Sequence, residues 1–178
     1  IDGSAITTLT GTISAVDTAL DAGVAGTITG LGNEAVTLTD TSGVAVATLN
    51  TLDGLTTGKI NAGTITTMSG ALTALNTAYA SNGITGLGNE TLTLSDAAIT
   101  TGDLMMLEAL TTGSVIASSV ASITGSLSSL TDAYTSPGIA SLGTTIHVTD
   151  VIISSDHLNT LNYITSGTIN TSANTTLT

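Results

Sequence analysis

The sequence contains no cysteine, no phenylalanine and no tryptophan, one proline (Pro137) and one basic residue (Lys59). Without cysteine there are neither disulfide staples nor thiolate metal sites, a pattern that fits an exported bacterial protein better than a small eukaryotic secreted domain. One lysine against 13 carboxylates, net charge −12, leaves no electrostatic footprint for DNA or RNA, because neutralising phosphates takes basic side chains in number. Three tyrosines are the only aromatics, so any core has to be thin and aliphatic. No apolar run reaches the roughly 20 residues needed to cross a bilayer, and residues 1–4 (IDGS) lack the basic stretch of a signal peptide. Charged residues make up only 8% of the chain against 41% hydrophobic, which is too apolar for charge-driven disorder.

What is abundant is threonine, 39 of 178 residues, and it is arranged in repeats. Residues 28–40 (ITGLGNEAVTLTD) recur at 84–96 (ITGLGNETLTLSD) with 10 of 13 identities, and again, one residue shorter, at 139–150 (IASLGTTIHVTD). Each copy leads into a leucine block and a stop signal, LTTG or ITSG, ending at Gly58, Gly113 and Gly167. Between these B units lie A units that open at Ile1, Ile60 and Val115, and a fourth opens at Ile169, where residues 169–178 match residues 1–10 at 7 of 10 positions. The modules therefore read as 1–59, 60–114 and 115–168, with a partial fourth at 169–178, in a single solenoid array over 1–178. Ordinary repeat sequence at both ends, where capping units would be polar and atypical, reads as an excerpt from a longer array or a unit that joins head to tail with itself.

The A units carry apolar residues at helical spacing, as in Leu72, Leu75, Ala78 and Tyr79; the B units do so with Leu104, Leu107 and Leu110. Thr101 and Ser154 are the expected B-helix caps. Upstream of each B helix the period becomes two, in Val36-Thr37-Leu38-Thr39, Leu92-Thr93-Leu94-Ser95 and Ile146-His147-Val148-Thr149. One strand and one helix per coil of about 27 residues predicts an α/β fold: a right-handed, leucine-rich-repeat-like solenoid of seven strands. Its parallel sheet lies on one face, with Val36, Leu92 and Ile146 in the same sheet.

Units built like ITGLGNExxTLxD, LNTL, LTTG and ITTLTG resemble the Thr/Ser/Gly-rich tandem repeats of giant secreted surface proteins, the adhesin-like arrays of some cyanobacteria and green sulfur bacteria. The resemblance spans essentially the whole chain. It implies an extracellular or cell-surface structural or adhesive module of an adhesin, filament or surface layer; a non-enzymatic role is expected because no repeated or convergent set of acid, base and nucleophile occurs. Its partners would be copies of itself or neighbouring repeats, and cell-surface glycans. The glycine-rich calcium nonapeptide that such proteins carry elsewhere is missing: no GGxGxD occurs.

Asp40, Asp96 and Asp150 close the B strands and are the calcium candidates, but equivalent aspartates two strand spacings apart, about 9–10 Å, cannot share one ion. The favoured reading is a turn or cap carboxylate. Asn33-Glu34 and Asn89-Glu90, replaced by Thr144-Thr145 in the third copy, read as loop residues. Ser155, Asp156 and His157 have the residue types of a nucleophile system, but adjacent positions diverge on a helix and the trio occurs once. His147 reads as an exposed strand residue and Met105 and Met106 as core filling. The Thr-x-Thr strands suggest a flat hydroxyl face able to order water. A ligand-binding solenoid for calcium, glycan or ice is therefore the alternative to a passive scaffold.

Overall fold

The computed structural model describes residues 1–142, 145–173 and 176–178. The chain forms two compact units, Ile1–Glu90 and Thr91–Thr178. The first contains β1 (Thr8–Gly11), α1 (Ile13–Val24), β2 (Ala35–Leu38), β3 (Val44–Ala45), α2 (Val46–Leu55), β4 (Ile60–Asn61), β5 (Thr67–Gly70), α3 (Leu72–Ala80) and β6 (Ile84–Thr85). Strands β1, β2, β4 and β6 form one parallel sheet in which Leu9, Val36, Ile60 and Ile84 lie in a row. A second parallel pairing joins β3 to β5 through Val44 and Met68.

The second unit contains β7 (Thr91–Leu94), β8 (Ala98–Thr100), α4 (Thr101–Glu108), β9 (Val115–Ile116), β10 (Ser122–Gly125) and α5 (Leu127–Thr135). It continues with β11 (Ile139–Ala140), β12 (Thr145–Val148), β13 (Ile152–Ile153), α6 (Ser155–Ile164), β14 (Thr168–Asn170) and β15 (Thr176–Leu177). Leu92, Val115 and Ile139 align across β7, β9 and β11, while Ile99, Ile123, Ile146 and Ile169 align across β8, β10, β12 and β14. Ile153 pairs with Leu177.

Apolar spacing places the helices as expected, except that Leu110 lies beyond the end of α4 and is 40% exposed. Ile13, Val16 and Leu20 of α1, Val46, Leu49 and Leu52 of α2, and Leu127, Leu130 and Ala133 of α5 are the buried stripes. The threonines that dilute these helices donate their hydroxyls one turn back, as Thr18 does to the Ser14 carbonyl, Thr77 to Thr73 and Thr131 to Leu127. Each exit from helix to strand from α2 onward is a hydroxyl turn in which Thr56, Ser81, Thr111, Ser136 or Thr165 accepts the N–H of the glycine two residues on. The glycine is required by crowding: a Cβ on Gly58 would lie 2.0 Å from the Glu34 carbonyl oxygen, one strand step earlier.

Three expectations are corrected. Paired strands step from Val36 to Ile60 and from Leu92 to Val115, three or four positions short of the expected coil; the first step, from Asp2 to Thr29 and Leu9 to Val36, has the expected length. Two strands separate α2 from α3, and three separate α5 from α6, where one was expected. Nor is there one sheet on one face: Leu92 and Ile146 belong to different sheets of the same unit, and Val36 aligns with Leu9 and Ile60. The physical reason is a mismatch of periods. The shorter steps carry Leu92 through Val115 to Ile139, well before its sequence equivalent Ile146. Each module thus moves over by one strand position, and the short strands that fill it, such as Val44–Ala45 and Ile152–Ile153, are too brief to show a period of two.

Candidate functional site: the contact between successive coils

No helix carries its own first N–H groups to satisfaction, so each needs acceptors from elsewhere. On α1, Thr12 Oγ1 accepts from Ala15 N at 3.3 Å, and Asp40 Oδ2, from the following coil, accepts from Ile13 N at 2.8 Å. On α5 the same division holds: Ser126 Oγ accepts from Ser129 N, and Asp150 Oδ2 accepts from Leu127 N at 2.6 Å. Two of the calcium candidates therefore act as caps, but on the helix one coil back rather than on the helix that follows them. A carboxylate at a helix N-terminus also meets the positive end of the helix dipole. Asp96 follows β7 at the corresponding sequence position and is half-buried.

At the other end of the helices a carboxylate reaches the next coil. Ser81 Oγ donates to Asp53 Oδ2 at 2.6 Å, and Ser136 Oγ donates to Glu108 Oε1. Asn50 Nδ2 adds a bond from α2 to the Ala74 carbonyl of α3 at 2.8 Å.

Glu34 and Glu90, expected in loops, are fully buried. Each folds back on its own turn: Glu34 Oε2 accepts from Gly32 N and Asn33 N, and Glu90 from Gly88 N and Asn89 N. Glu90 also accepts from Tyr79 OH at 2.7 Å. Leu20 stands at the sequence position of Tyr79 in the first module and offers no hydroxyl, and Glu34 Oε1 is buried without a partner. The readable signal was a carboxylate fixed behind GLGN in both copies.

Ser155, Asp156 and His157 are exposed on α6, and the hydroxyl that meets His157 Nδ1, at 2.8 Å, belongs to Ser154. Ser154 is the helix cap, accepting from His157 N, so the pair is a capping arrangement. Thr100 takes the cap position expected of Thr101, which is instead the buried first residue of α4. His147 is half-buried rather than exposed, between Thr124 and Asn170 in the row, and Met106 is 59% exposed rather than core. Asp17 and Asp40 share a 370 Å³ cleft, and Asp132, Asp150 and His157 line a 280 Å³ cleft at the equivalent place by α5. Among the described residues no three His, Cys, Asp or Glu side chains are grouped to hold a metal ion, and no helix is long and apolar enough to cross a membrane.

The same repeat positions differ sharply between inner and outer coils. Ile60 and Val115 are 0% exposed, whereas Ile1, their equivalent, is 89% exposed. Met68 and Ile123 are buried, whereas Leu177 is 65% exposed. Ile60 has Val36 and Ile84 as strand partners on its two sides, and Val115 has Leu92 and Ile139, so each is covered by paired strands on both sides. Comparison with protein-family models, with curated proteins and with solved structures finds no match to this chain.

Proposed function

We propose that the chain is a non-enzymatic structural repeat module, a right-handed α/β solenoid whose coils follow the strand step from Val36 to Ile60 and which extends by stacking coil on coil. The right hand is the one parallel crossovers take. In this reading the module belongs to an extracellular array of a bacterial surface, as an adhesin, filament or surface-layer element. The observation that carries it is the burial of Ile60 and Val115 beside the exposure of Ile1: equivalent positions gain cover only from a neighbouring coil. The acidic balance suits an exposed surface by keeping such arrays soluble.

A chain in which residues 1–168 run directly into a second copy of 1–178 tests this. Stacking predicts a higher thermal midpoint for the two-copy chain, because one exposed pair of coil faces becomes a buried one. An unchanged midpoint would overturn the reading. The alternative is a ligand-binding solenoid for calcium, glycan or ice; if calcium is the ligand, it raises the midpoint of the single copy.

A further inference from the structure

We propose that the 220 Å³ cleft between Tyr134, the turn at Ser141 and Leu142, and the helix exit at Thr165 and Ser166 binds a carboxylate, supplied by a ligand where the first two modules supply one from their own chain. The inference goes beyond the scaffold reading and does not depend on it.

Glu34 and Glu90 show what such a position takes. Both are 0% exposed, and both are held by uncharged donors: the N–H groups of Gly32 and Asn33 in one turn, those of Gly88 and Asn89 in the other, with the Tyr79 hydroxyl added at 2.7 Å on Glu90. The one lysine is engaged elsewhere, on the Asn82 carbonyl. A carboxylate is therefore housed in this fold by N–H and O–H groups without a cation, the hydrogen bonds to its charge offsetting the loss of water.

The third copy of the turn is one residue shorter and has Thr144-Thr145 in place of Asn-Glu, so residues 139–149 contain no carboxylate. The surroundings of the missing group are nonetheless kept. Tyr134 is the sequence equivalent of Tyr79, and Leu142 that of Leu87. Ser141 holds φ at 58°, the left-handed backbone that Gly30 and Gly86 adopt at 82° and 87°, although a side chain makes it costlier there than glycine does. Tyr134 is half-buried, hydrogen-bonded to Thr165, and lines the cleft with the hydroxyl-bearing Ser141, Thr165 and Ser166. No charged residue lines it. A metal cation would meet no carboxylate there, and a dianion such as phosphate no positive charge; a single carboxylate meets the kind of O–H donor that Tyr79 gives Glu90. The carboxylate comes either from a small free acid or from an acidic side chain of another polypeptide.

The test is a titration of the full-length, nitrogen-15-labelled chain with sodium formate, sodium chloride keeping the ionic strength constant. Amide signals of residues 139–142 and 164–166 are expected to shift and saturate with formate and not with chloride. Tyr134→Phe should weaken the binding several-fold. Thr144→Glu, two residues before Ile146 as Glu90 is two before Leu92, should abolish it by supplying the carboxylate from the chain itself. A blocked peptide containing one glutamate separates the sources: saturation at the same residues assigns the site to an acidic side chain, and saturation with formate alone assigns it to a small acid. Absence of saturation with both probes overturns the proposal, as does equal saturation with chloride, or formate binding as tight in both variants as in the parent.

Discussion

Asp150 Oδ2 sits 2.6 Å from the backbone nitrogen of Leu127, the first residue of a helix that begins 23 residues before it. The aspartate that ends a strand thus finishes the cap of the previous helix, and Asp40 does the same for Ile13. Asp150→Ala is expected to lower stability by about 1 kcal/mol, the usual cost of a lost cap, while Asp150→Asn retains most of it. Urea unfolding checks this; an alanine variant as stable as the parent would show that the contact contributes nothing.

The glycines that end β1 and β10, Gly11 and Gly125, give an internal control. A Cβ on Gly125 would lie 2.3 Å from Thr101 Oγ1 and 2.8 Å from Ser129 Oγ, which are themselves hydrogen-bonded at 2.8 Å. A Cβ on Gly11 meets nothing closer than 3.7 Å. Gly125→Ala is expected to cost about 1–3 kcal/mol through overpacking, and Gly11→Ala less than about 0.5 kcal/mol. Thermal unfolding of both variants checks the difference.

Tyr79 donates its hydroxyl to a fully buried carboxylate. Tyr79→Phe removes one of the donors to Glu90 and is expected to cost about 1.5–3 kcal/mol, the range for hydrogen bonds to charged groups. The double variant Tyr79→Phe with Glu90→Gln should lose less than the two single losses combined, because both changes break the same bond.

Burial holds the Tyr134 phenol above its usual range, with a hydrogen bond to Thr165 opposing the shift. The folded chain therefore keeps this proton to higher pH than the unfolded chain. Stability from this group is complete below the unfolded value near 10 and falls as pH rises through the folded value. Tyr134→Phe is expected to flatten that alkaline decline, measured as the midpoint between about pH 9 and pH 11.

Elements with several apolar contacts were legible in the sequence. The stripes of Ile13, Val16 and Leu20, or Leu127 and Leu130, announce their helices, and Val36-x-Leu38 announces β2. The LTTG signal marked the helix ends, although the hydroxyl-to-glycine bond that makes it work appears only in space. Sheet membership was not legible, because it depends on the step between paired strands, and two steps like that from Val36 to Ile60 fall short of a whole module. The inter-coil caps were hidden for a related reason. Asp40 and Ile13 are 27 residues apart, and nothing local distinguishes a carboxylate that caps the next helix from one that caps the last. Glu34 and Glu90 were legible as loop residues, but not their burial, because it depends on the N–H groups of their own glycine turns satisfying them in the interior.

The central claim is that each coil's interior is closed by its neighbours, and Ile60 and Ile1 test it most directly because they are the same residue at the same repeat position. Ile60→Ala, from 0% exposed, is expected to cost about 2–5 kcal/mol, and Ile1→Ala, from 89% exposed, less than about 0.5 kcal/mol. In the two-copy chain the isoleucine that begins the second copy should become as costly to truncate as Ile60. If that internal isoleucine stays as tolerant as the exposed one, the coils do not complete one another and the claim fails.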